Sequence, residues 1–410
     1  MKGLSLSEPW RSAPARERTP PPGQFQGYGA LMQKTPEGAS PRIYLALDLG
    51  GSRWQLAFGD GSVARPRQRT IEARDLMALL LEIESAKKRF GFPADSAVVS
   101  VYEAGRDAFW LHRWLTAQGV DNVVVDPGSI EVDRRAKRAK TDKLDSEKMV
   151  RCLVRHHAGE QKVWRVVRVP SEEDEDMRRI HRERKRIQEE LTSVTNRSHS
   201  LLATIGVKVE NMRRLESYVG RLRTANDEEV PPHLRRELVR IVERINLLVE
   251  QLGEVEADRR TFLQSSSKRA EMVLLLGSLR GVGMETAWYL VMEVFAWREI
   301  RNRKQLGALA GLTGTPHNSD TTVRDQGISK AGNSRLRALM VEVSWQWLRY
   351  QPDSELTLWF QQRFANAGGR ARKRGIVAVA RKLLIALWRF VELGLVPAGA
   401  DLKAEGAALR

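Results

Sequence analysis

The first half of the chain alternates short apolar runs, rich in β-branched residues, with segments of helical periodicity. The runs IYLALDL, WQLAF, AVVSVYE and NVVV predict strands, whereas residues 74–91 and 107–119 predict helices that end at a glycine. Strands that alternate with helices predict an α/β domain over residues 42–165, whose ligands bind at the carboxyl ends of the strands.

The middle of the chain is dense in charge, and its apolar residues recur at helical spacing. Two long amphipathic helices are predicted within residues 171–265, and Pro231 and Pro232 begin the second of them. Such a pair forms a helical hairpin or a coiled coil, part of whose apolar seam could face another protomer. A bundle closed within one chain fits the same pattern.

The rest of the chain predicts a compact helical domain over residues 271–398. Within it, the polar stretch 317–325 predicts a loop between helices. Residues 1–41 are rich in Pro, Arg and Ser, which is typical of a disordered tail, and residues 399–410 are expected to be frayed.

Composition indicates the class of partner. Lys and Arg number 68 against 51 acidic residues, which gives a net charge of +17, so we expect a polyanionic partner such as nucleic acid. The single cysteine, Cys152, excludes disulfide frameworks and fits a reducing cytosol. No secretory signal and no bilayer-length apolar run is visible, so a cytoplasmic protein without a membrane partner is expected.

Four acidic residues give this basic chain its candidate chemistry. Asp48 and Glu103 each end an apolar β-rich run, and Asp142 and Asp145 lie three apart on a predicted helix and share one face. Carboxylates gathered at one point need a cation, and Mg²⁺ suits such oxygen ligands and phosphodiester cleavage. Each acid taken singly has a structural explanation, but the four together predict a metal site.

A second candidate is the segment LRGVG, which resembles a helix-hairpin-helix turn. Gly281 and Gly283 would form a tight turn whose amides bind a nucleic-acid phosphate at a helix N-terminus. A glycine turn between two packed helices, with no ligand, explains the same residues.

A third candidate is the polar stretch around Ser319. A serine in such a stretch usually caps a turn, but an exposed serine among basic groups could attack a phosphodiester. The surrounding charges predict phosphate binding, and a basic amphipathic helix follows later in the chain. The residues assigned to nucleic-acid binding in these two segments are Arg324, Lys330, Arg335, Arg337, Arg370, Arg372, Lys373 and Arg374.

Together and in this order, these segments resemble the DEDD transposases, the serine-dependent recombinases of bacterial insertion sequences that are guided by a bridge RNA. The matching segments are LALDLG, YEAG, KTDKLDS, LRGVG, ALAGLTGTP, GISKAGNSRLRALMVEVSW and RARKRGIVAVARKLL, within residues 42–396. The resemblance implies an RNase H-like (resolvase-like) α/β domain, a long helical coiled-coil segment and a mostly α-helical transposase domain.

The resemblance also implies the roles of individual residues. Asp48, Glu103, Asp142 and Asp145 would bind Mg²⁺, and the nucleophilic serine would precede the GISKAGN segment, where Ser319 stands. The family usually has glycine after this serine, whereas Asp320 follows here, so Ser329 and Ser334 are alternative nucleophiles.

Partners follow from the resemblance too. They are donor and target DNA, a guide (bridge) RNA, and further copies of the chain, as a homodimer that assembles to a tetramer in the bacterial cytoplasm at the nucleoid. The acidic cluster of one protomer would meet the serine of another, and the helical segment would provide the dimerising coiled coil.

Two other functions remain open at this point. One is a metal-dependent nuclease similar to a Holliday-junction resolvase, which would hydrolyse DNA with the four acids and no covalent intermediate. The other is a non-catalytic assembly factor that binds nucleic acid.

Overall fold

The chain divides into two compact units, Met1–Val167 and Arg168–Arg410. A computed structural model describes residues 41–62, 65–130, 142–160, 162–212, 216–319 and 322–404, with the side chains of 142–145, 216, 218, 316–319 and 322–326 left out. The expected disordered tail therefore lies outside the described residues except for its last position, and so do residues 405–410 of the expected frayed tail.

The first unit is built on a five-stranded mixed sheet. Its strands are β1 Arg42–Leu49, β2 Arg53–Gly59, β3 Arg67–Glu72, β4 Ala97–Glu103 and β5 Asp121–Val125, and their order in the sheet is β3-β2-β1-β4-β5. Strand β1 pairs antiparallel with β2 and parallel with β4, while β2–β3 is antiparallel and β4–β5 is parallel. This mixed α/β arrangement is compatible with an RNase H-like domain. The helices of this unit are α1 Leu76–Phe90, α2 Ala108–Ala117 and α3 Asp142–His157.

Burial on both faces of the central strands holds this sheet. Ile43, Leu45 and Leu47 alternate along β1 and are essentially inaccessible to solvent. Ala46, on the opposite face, packs in the apolar cluster that α3 contributes to through residues such as Leu153. The central strands were therefore visible in the sequence as nearly continuous apolar runs.

The second unit begins with an antiparallel pair of long helices. Helix α4 (Glu172–Ala203) starts with a capping box formed by Ser171 and Asp174, and after the short α5 (Glu216–Val219) helix α6 (Pro232–Leu263) returns along it. Apolar residues of both helices fill the seam between them, so the hairpin is closed within one chain: Ile187, Leu191, Ile241, Ile245, Leu248 and Val255. An intermolecular coiled coil remains a prediction. In the described part of the chain, no helix is both long and apolar enough for a bilayer.

The remaining helices surround a core that contains the fully buried Trp288 and Trp347. Helix α8 continues into a π-helical turn at Val291–Phe295. The elements are α7 Lys268–Gly277, α8 Met284–Leu290, α9 Arg303–Leu309, β6 Gly314–Ser319, β7 Thr322–Ile328, α10 Ser334–Tyr350, α11 Glu355–Phe364 and α12 Gly369–Leu393.

Two expectations about irregular segments are corrected. Within the predicted loop 317–325, residues 317–319 and 322–325 instead belong to the antiparallel strands β6 and β7, and His317 pairs with Arg324. Its strands are polar and lack the apolar alternation that marks a half-buried strand. The expected frayed tail is ordered between Gly399 and Lys403, where Lys403 Nζ donates to the carbonyl oxygens of Gly277 and Val282 at 2.6 and 2.9 Å.

A buried carboxylate joins α4 to the helices of the core. Glu293, in the π-helical turn, accepts a hydrogen bond from His181 Nε2 at 3.0 Å and two from Arg182 at 2.7 and 2.9 Å. Burial alone would raise the pKa of Glu293, but the hydrogen bonds from His181 and Arg182 and the Arg182 charge lower it to about 2. The carboxylate is therefore ionised over the whole physiological range.

The seam of the helical hairpin can be tested by a buried and an exposed position on the same helix. We expect Ile245→Ala to lower the free energy of unfolding by about 2–4 kcal/mol, because Ile245 is 2% exposed in the seam. Leu247→Ala should change it by less than about 0.5 kcal/mol, because Leu247 is 52% exposed. Urea denaturation followed by circular dichroism measures both; equal losses would contradict a seam closed within the chain.

The ionised Glu293 should make stability depend on pH. Its pKa is lower in the folded state than the ordinary value of 4.5, so its contribution is present above that pH and is lost as pH falls toward 2. Glu293→Gln should cost about 2 kcal/mol at pH 7, and the difference from the unmodified protein should shrink at pH 3. Glu299→Gln, which removes an exposed partner of Arg301, is the matched control and should change stability little at either pH. A difference that is independent of pH would contradict this assignment.

Candidate active site

Asp48 and Glu103 lie at the same edge of the sheet. Strands β1 and β4 are parallel, and Leu47 is opposite Tyr102, so that Asp48 and Glu103 are the next residues of the two strands. Neighbouring strands are about 4.8 Å apart, and both acidic residues are exposed. The structure thus brings these two predicted metal ligands to adjacent positions.

The direction of α3 decides where the other two acids lie. Its last residue, His157, lies with its Nδ1 atom 3.4 Å from Arg42 Nη1 at the start of β1. Gly59, which pairs with Tyr44, would clash with Val150 if it carried a Cβ atom, at 2.8 Å. Helix α3 therefore runs antiparallel to β1.

The first turn of α3, which contains Asp142 and Asp145, is consequently directed to the edge where β1 ends. Sixteen residues of helix span about 24 Å and eight residues of strand about 26 Å, so the two elements match in length. Asp48 and Glu103 thus lie on neighbouring strands at one end of the sheet, and the helix turn that contains Asp142 and Asp145 is directed to the same end. Among the described side chains, which exclude those of Asp142 and Asp145, no group of three or more His, Cys, Asp or Glu could hold a metal ion.

A clamp that the sequence did not reveal holds the loop after Glu103. Asp107 accepts hydrogen bonds from Arg74 Nε at 3.1 Å and Nη2 at 3.0 Å, and from Trp110 Nε1 at 2.9 Å. Arg74 adopts a left-handed backbone conformation, with φ 68°, to reach it. The buried Tyr102 hydroxyl donates to the Ala108 carbonyl oxygen at 2.6 Å and so links β4 to the first residue after the same loop. A single acid such as Asp107 carries no sequence signal that distinguishes it from a helix cap.

The glycines after Asp48 have different roles. A Cβ atom on Gly50 would lie 2.5 Å from the Arg53 carbonyl oxygen, so the turn between β1 and β2 itself requires glycine there. Nothing lies within 4 Å of a Cβ atom placed on Gly51. Close approach of a phosphate is therefore not needed to explain Gly50, and at Gly51 it remains a prediction.

Ser319 belongs to the second unit and lies at the end of β6. Its backbone pairs with Thr322, and Asp320 and Thr321, which join the strands, lie outside the described residues. The base of the hairpin is at Gly314, which pairs with Ile328, so Ser319 is about 17 Å along the strand from that base. The serine is thus held on a β-hairpin.

The two alternative serines are in the segment that follows the hairpin. Ser329 is half-buried, its amide donates to the Thr313 carbonyl oxygen at 2.8 Å, and its Oγ accepts a hydrogen bond from Thr313 Oγ1 at 3.3 Å. Ser334 is exposed at the first position of α10, directly after the N-cap Asn333. Ser329 therefore has a local structural role, whereas the helix cap beside Ser334 is provided by Asn333.

The GISKAGN segment, residues 327–333, packs closely against the end of α9. A Cβ atom on Gly332 would lie 2.6 Å from both the Gly311 nitrogen and the Leu309 carbonyl oxygen, so only glycine fits. Lys330 has φ 55°, and its amide donates to the Gly311 carbonyl oxygen at 3.1 Å. Arg337 Nη1 donates to the carbonyl oxygens of Ala310 and Lys330 at 3.1 and 3.2 Å, a structural role that the sequence did not reveal.

The other predicted phosphate-binding residues differ in their surroundings. Lys330 and Arg335 are exposed, and the Arg335 guanidinium lies over the Tyr289 ring at 4.8 Å. Burial and the nearby Glu293 charge raise the pKa of Tyr289 and keep its phenol neutral. The backbone of Arg324 lies in β7, and its side chain is outside the described part.

The LRGVG turn is accounted for by packing. Gly281 has φ 80°, and a Cβ atom there would contact α10 at Trp347 Cα and the Gln346 carbonyl oxygen, at 3.5 and 3.4 Å. Gly283 is exposed and caps α8. Phosphate binding by this turn remains a prediction, because a turn between packed helices explains Gly281 fully.

The first turns of α12 carry four exposed cations: Arg370, Arg372, Lys373 and Arg374. This end of the helix has no side-chain cap and no acidic residue in its first turn. Cations at a helix N-terminus oppose the helix dipole, so their placement does not serve helix stability. An external polyanion is the partner that would make this arrangement favourable.

Two family models match separate parts of the chain. A family described as "Transposase" matches residues 62–207, and a second, "Transposase IS116/IS110/IS902 family", matches residues 273–357. The first match begins after Asp48 but includes Glu103, Asp142 and Asp145, and the second includes Ser319.

Individual relatives extend the similarity over most of the chain. The putative transposase y4rJ of Sinorhizobium fredii is 39% identical over 88% of this chain and 94% of its own length. The transposase for insertion sequence element IS1328 of Yersinia enterocolitica is 30% identical over 44% of this chain and 53% of its own length. The transposase for IS1111A of Coxiella burnetii is 23% identical over 70% and 76%. The chain belongs to the IS116/IS110/IS902 family of transposases.

Proposed function

We propose that this chain is the transposase of an insertion sequence and that it cuts and rejoins DNA through a covalent phosphoserine intermediate. The observation that carries the proposal is the adjacency of Asp48 and Glu103 at one end of the sheet, to which the start of α3 is directed, in a basic chain of a transposase family. Such an acidic edge suits phosphodiester chemistry, and the net positive charge suits a DNA substrate.

The nucleophile in this proposal is Ser319. Its Oγ bonds to the phosphorus of a DNA phosphodiester, the deoxyribose oxygen leaves and takes up a proton, and the serine proton passes to solvent. In the reverse step, a hydroxyl of the exchanged strand attacks the phosphoserine, which re-forms a phosphodiester and releases the serine. No water is consumed, so the strands are rejoined without another energy source.

The acidic residues act on the charge of the reacting phosphate. Asp48, Glu103, Asp142 and Asp145 would hold Mg²⁺, and carboxylate oxygens are the donors that this ion prefers. When bound, the metal would supply charge neutralisation at the scissile phosphate. The Arg74–Asp107 clamp keeps the loop after Glu103 in place and so positions that carboxylate.

Assembly completes the proposal. The acids belong to the first unit and Ser319 to the second. We propose that the acids of one protomer act with the serine of another in a dimer, and that two dimers form a tetramer. A guide RNA that pairs with donor and target DNA would supply sequence specificity; this part rests on the family resemblance and on the basic composition alone.

A nuclease is the second candidate function. The acidic edge of the sheet is sufficient by itself for metal-dependent hydrolysis, as in a Holliday-junction resolvase, and it favours this alternative. In that case water would attack the phosphodiester, and Ser319 would have no chemical role. A binding factor without catalysis is disfavoured by the same acidic edge, which has no use in binding a polyanion.

The nucleophile is tested by trapping the intermediate. On labelled DNA that carries the ends of its element, we expect Ser319→Ala to abolish the covalent protein–DNA adduct that denaturing gel electrophoresis detects. Ser193→Ala, an exposed change on α4, is the matched control and should keep the adduct. Undiminished cleavage by Ser319→Ala would support the nuclease. If only Ser329→Ala or Ser334→Ala abolished the adduct, that serine would be the nucleophile instead of Ser319.

The acidic edge is tested independently of the serine. Asp48→Asn and Glu103→Gln should each lower the rate of strand cleavage by at least about 100-fold, because each removes a carboxylate that would stabilise the reacting charge. Glu72→Gln changes an exposed acid on the edge strand β3 of the same sheet and should leave the rate unchanged. Full activity of both Asp48→Asn and Glu103→Gln would refute the metal site.

A further inference from the structure

An unbroken series of aromatic rings joins α10 and α11 in the second unit. Trp345 meets Phe360 edge-to-face, with ring centroids 6.5 Å apart; Phe360 lies 5.5 Å from Phe364, and Phe364 lies 5.9 Å from Trp359. Phe360 is buried, but Trp345 is 44% exposed, in contrast to the fully buried Trp347 two residues later. The core therefore does not require the indole of Trp345.

Cations lie directly against this series. The Arg363 guanidinium is 5.3 Å from the Trp359 ring centroid, and Lys382 Nζ from α12 is 4.8 Å from the same ring. At the end of α10, Arg349 lies 5.4 Å over the ring of Tyr350, which is 49% exposed. Two exposed acidic residues lie on the same helices, Glu342 one turn before Trp345 and Glu355 one turn before Trp359.

The aromatic series also reaches the basic start of α12. A Cβ atom on Gly375 would lie 2.8 Å from the Phe364 ring, so the glycine allows this ring to rest on the helix directly after Arg372, Lys373 and Arg374. The exposed Trp345 indole, the half-buried Trp359 ring with its two cations and the cationic start of α12 are thus connected by one series of rings into one surface. We call it the aromatic–basic surface, comprising Trp345, Trp359, Arg363, Lys382 and the start of α12.

We propose that the aromatic–basic surface binds unpaired DNA. Bases in a duplex are already stacked and cannot reach an indole, whereas an unpaired base presents a free face to Trp345 and its phosphates reach the cations. Exposed aromatic rings interleaved with Arg and Lys are the arrangement that single-stranded DNA requires. Strand exchange must separate bases near the cut, and this surface would hold one separated strand.

The inference goes beyond the proposed chemistry and rests only on DNA being the substrate. None of its residues is among the four acids or the candidate serines. Binding of a single strand is measured without metal and without cleavage, so failure of the phosphoserine mechanism and failure of this surface are separate results.

The test uses the full chain and a fluorescein-labelled oligothymidylate of about 20 nucleotides, followed by fluorescence anisotropy. Trp345→Ala should weaken its binding about 5- to 100-fold, the loss expected for one stacked base. Trp345→Phe should retain most of the affinity, because a phenyl ring also stacks. Arg363→Gln should reduce the dependence of log Kd on log salt by about one ion.

Controls separate stacking from other effects. Leu358→Ala removes an apolar side chain of α11 that is 43% exposed but has no ring, and should change the affinity by less than about twofold. Binding of a duplex of the same length should change little in Trp345→Ala, and circular dichroism should show an unchanged fold. Unchanged single-strand affinity, an equal loss for duplex, or a loss confined to RNA would each overturn the proposal. So would conversion of a dimer to a monomer by Trp345→Ala, since the surface would then be an interface between copies.

Discussion

The parallel pairing of β1 with β4 is the constraint on which the candidate active site depends. Parallel neighbours end at the same edge of a sheet, and the register that sets Leu47 opposite Tyr102 brings Asp48 and Glu103 side by side. Helix α3 then runs back across the face of the sheet. The close approach of Val150 to Gly59 sets the position of this helix along the strands. Because α3 matches β1 in length, its first turn is directed to the same edge. The acidic positions thus follow from backbone geometry and one glycine.

In the second unit, a polar β-hairpin is attached to a helical core. A two-stranded hairpin is marginal by itself, so its base has to be fixed from outside. Here the GISKAGN segment fixes the base of the hairpin. Gly332 permits backbone contact with the end of α9, and Arg337 donates hydrogen bonds to the carbonyl oxygens of Ala310 and Lys330. Ser319, about 17 Å along β6, is far from this base. In the proposed reaction, such a position suits a nucleophile that must meet carboxylates of another unit.

The sequence predicted those parts of the fold that bury apolar surface. Strands β1 and β4, the two long helices and the acidic turn of α3 are marked by apolar runs or helical spacing, and each is present. Strand β3 was missed because, of its six residues, only Ile71 is buried, and the β6–β7 hairpin was missed because its strands are polar. The Arg74–Asp107 clamp and the roles of Lys330 and Arg337 were also missed, since a left-handed backbone or a carbonyl contact leaves no periodic signal.

Charge placement distinguishes structural from functional basic residues in this chain. Arg182, held by Glu293, and Arg337, held by carbonyl oxygens, have partners within the fold, and their charges stabilise it. The cations at the start of α12 stand against the helix dipole, and those around Trp359 lie on an aromatic ring rather than on a carboxylate. The cations at the start of α12 therefore make the folded protein less stable than neutral residues would, unless a polyanion binds there. Those around Trp359 are attracted to the ring and leave their charge without a carboxylate on that ring. A polyanion of bases and phosphates would satisfy both the rings and the charges, which is why the two features lie on one surface.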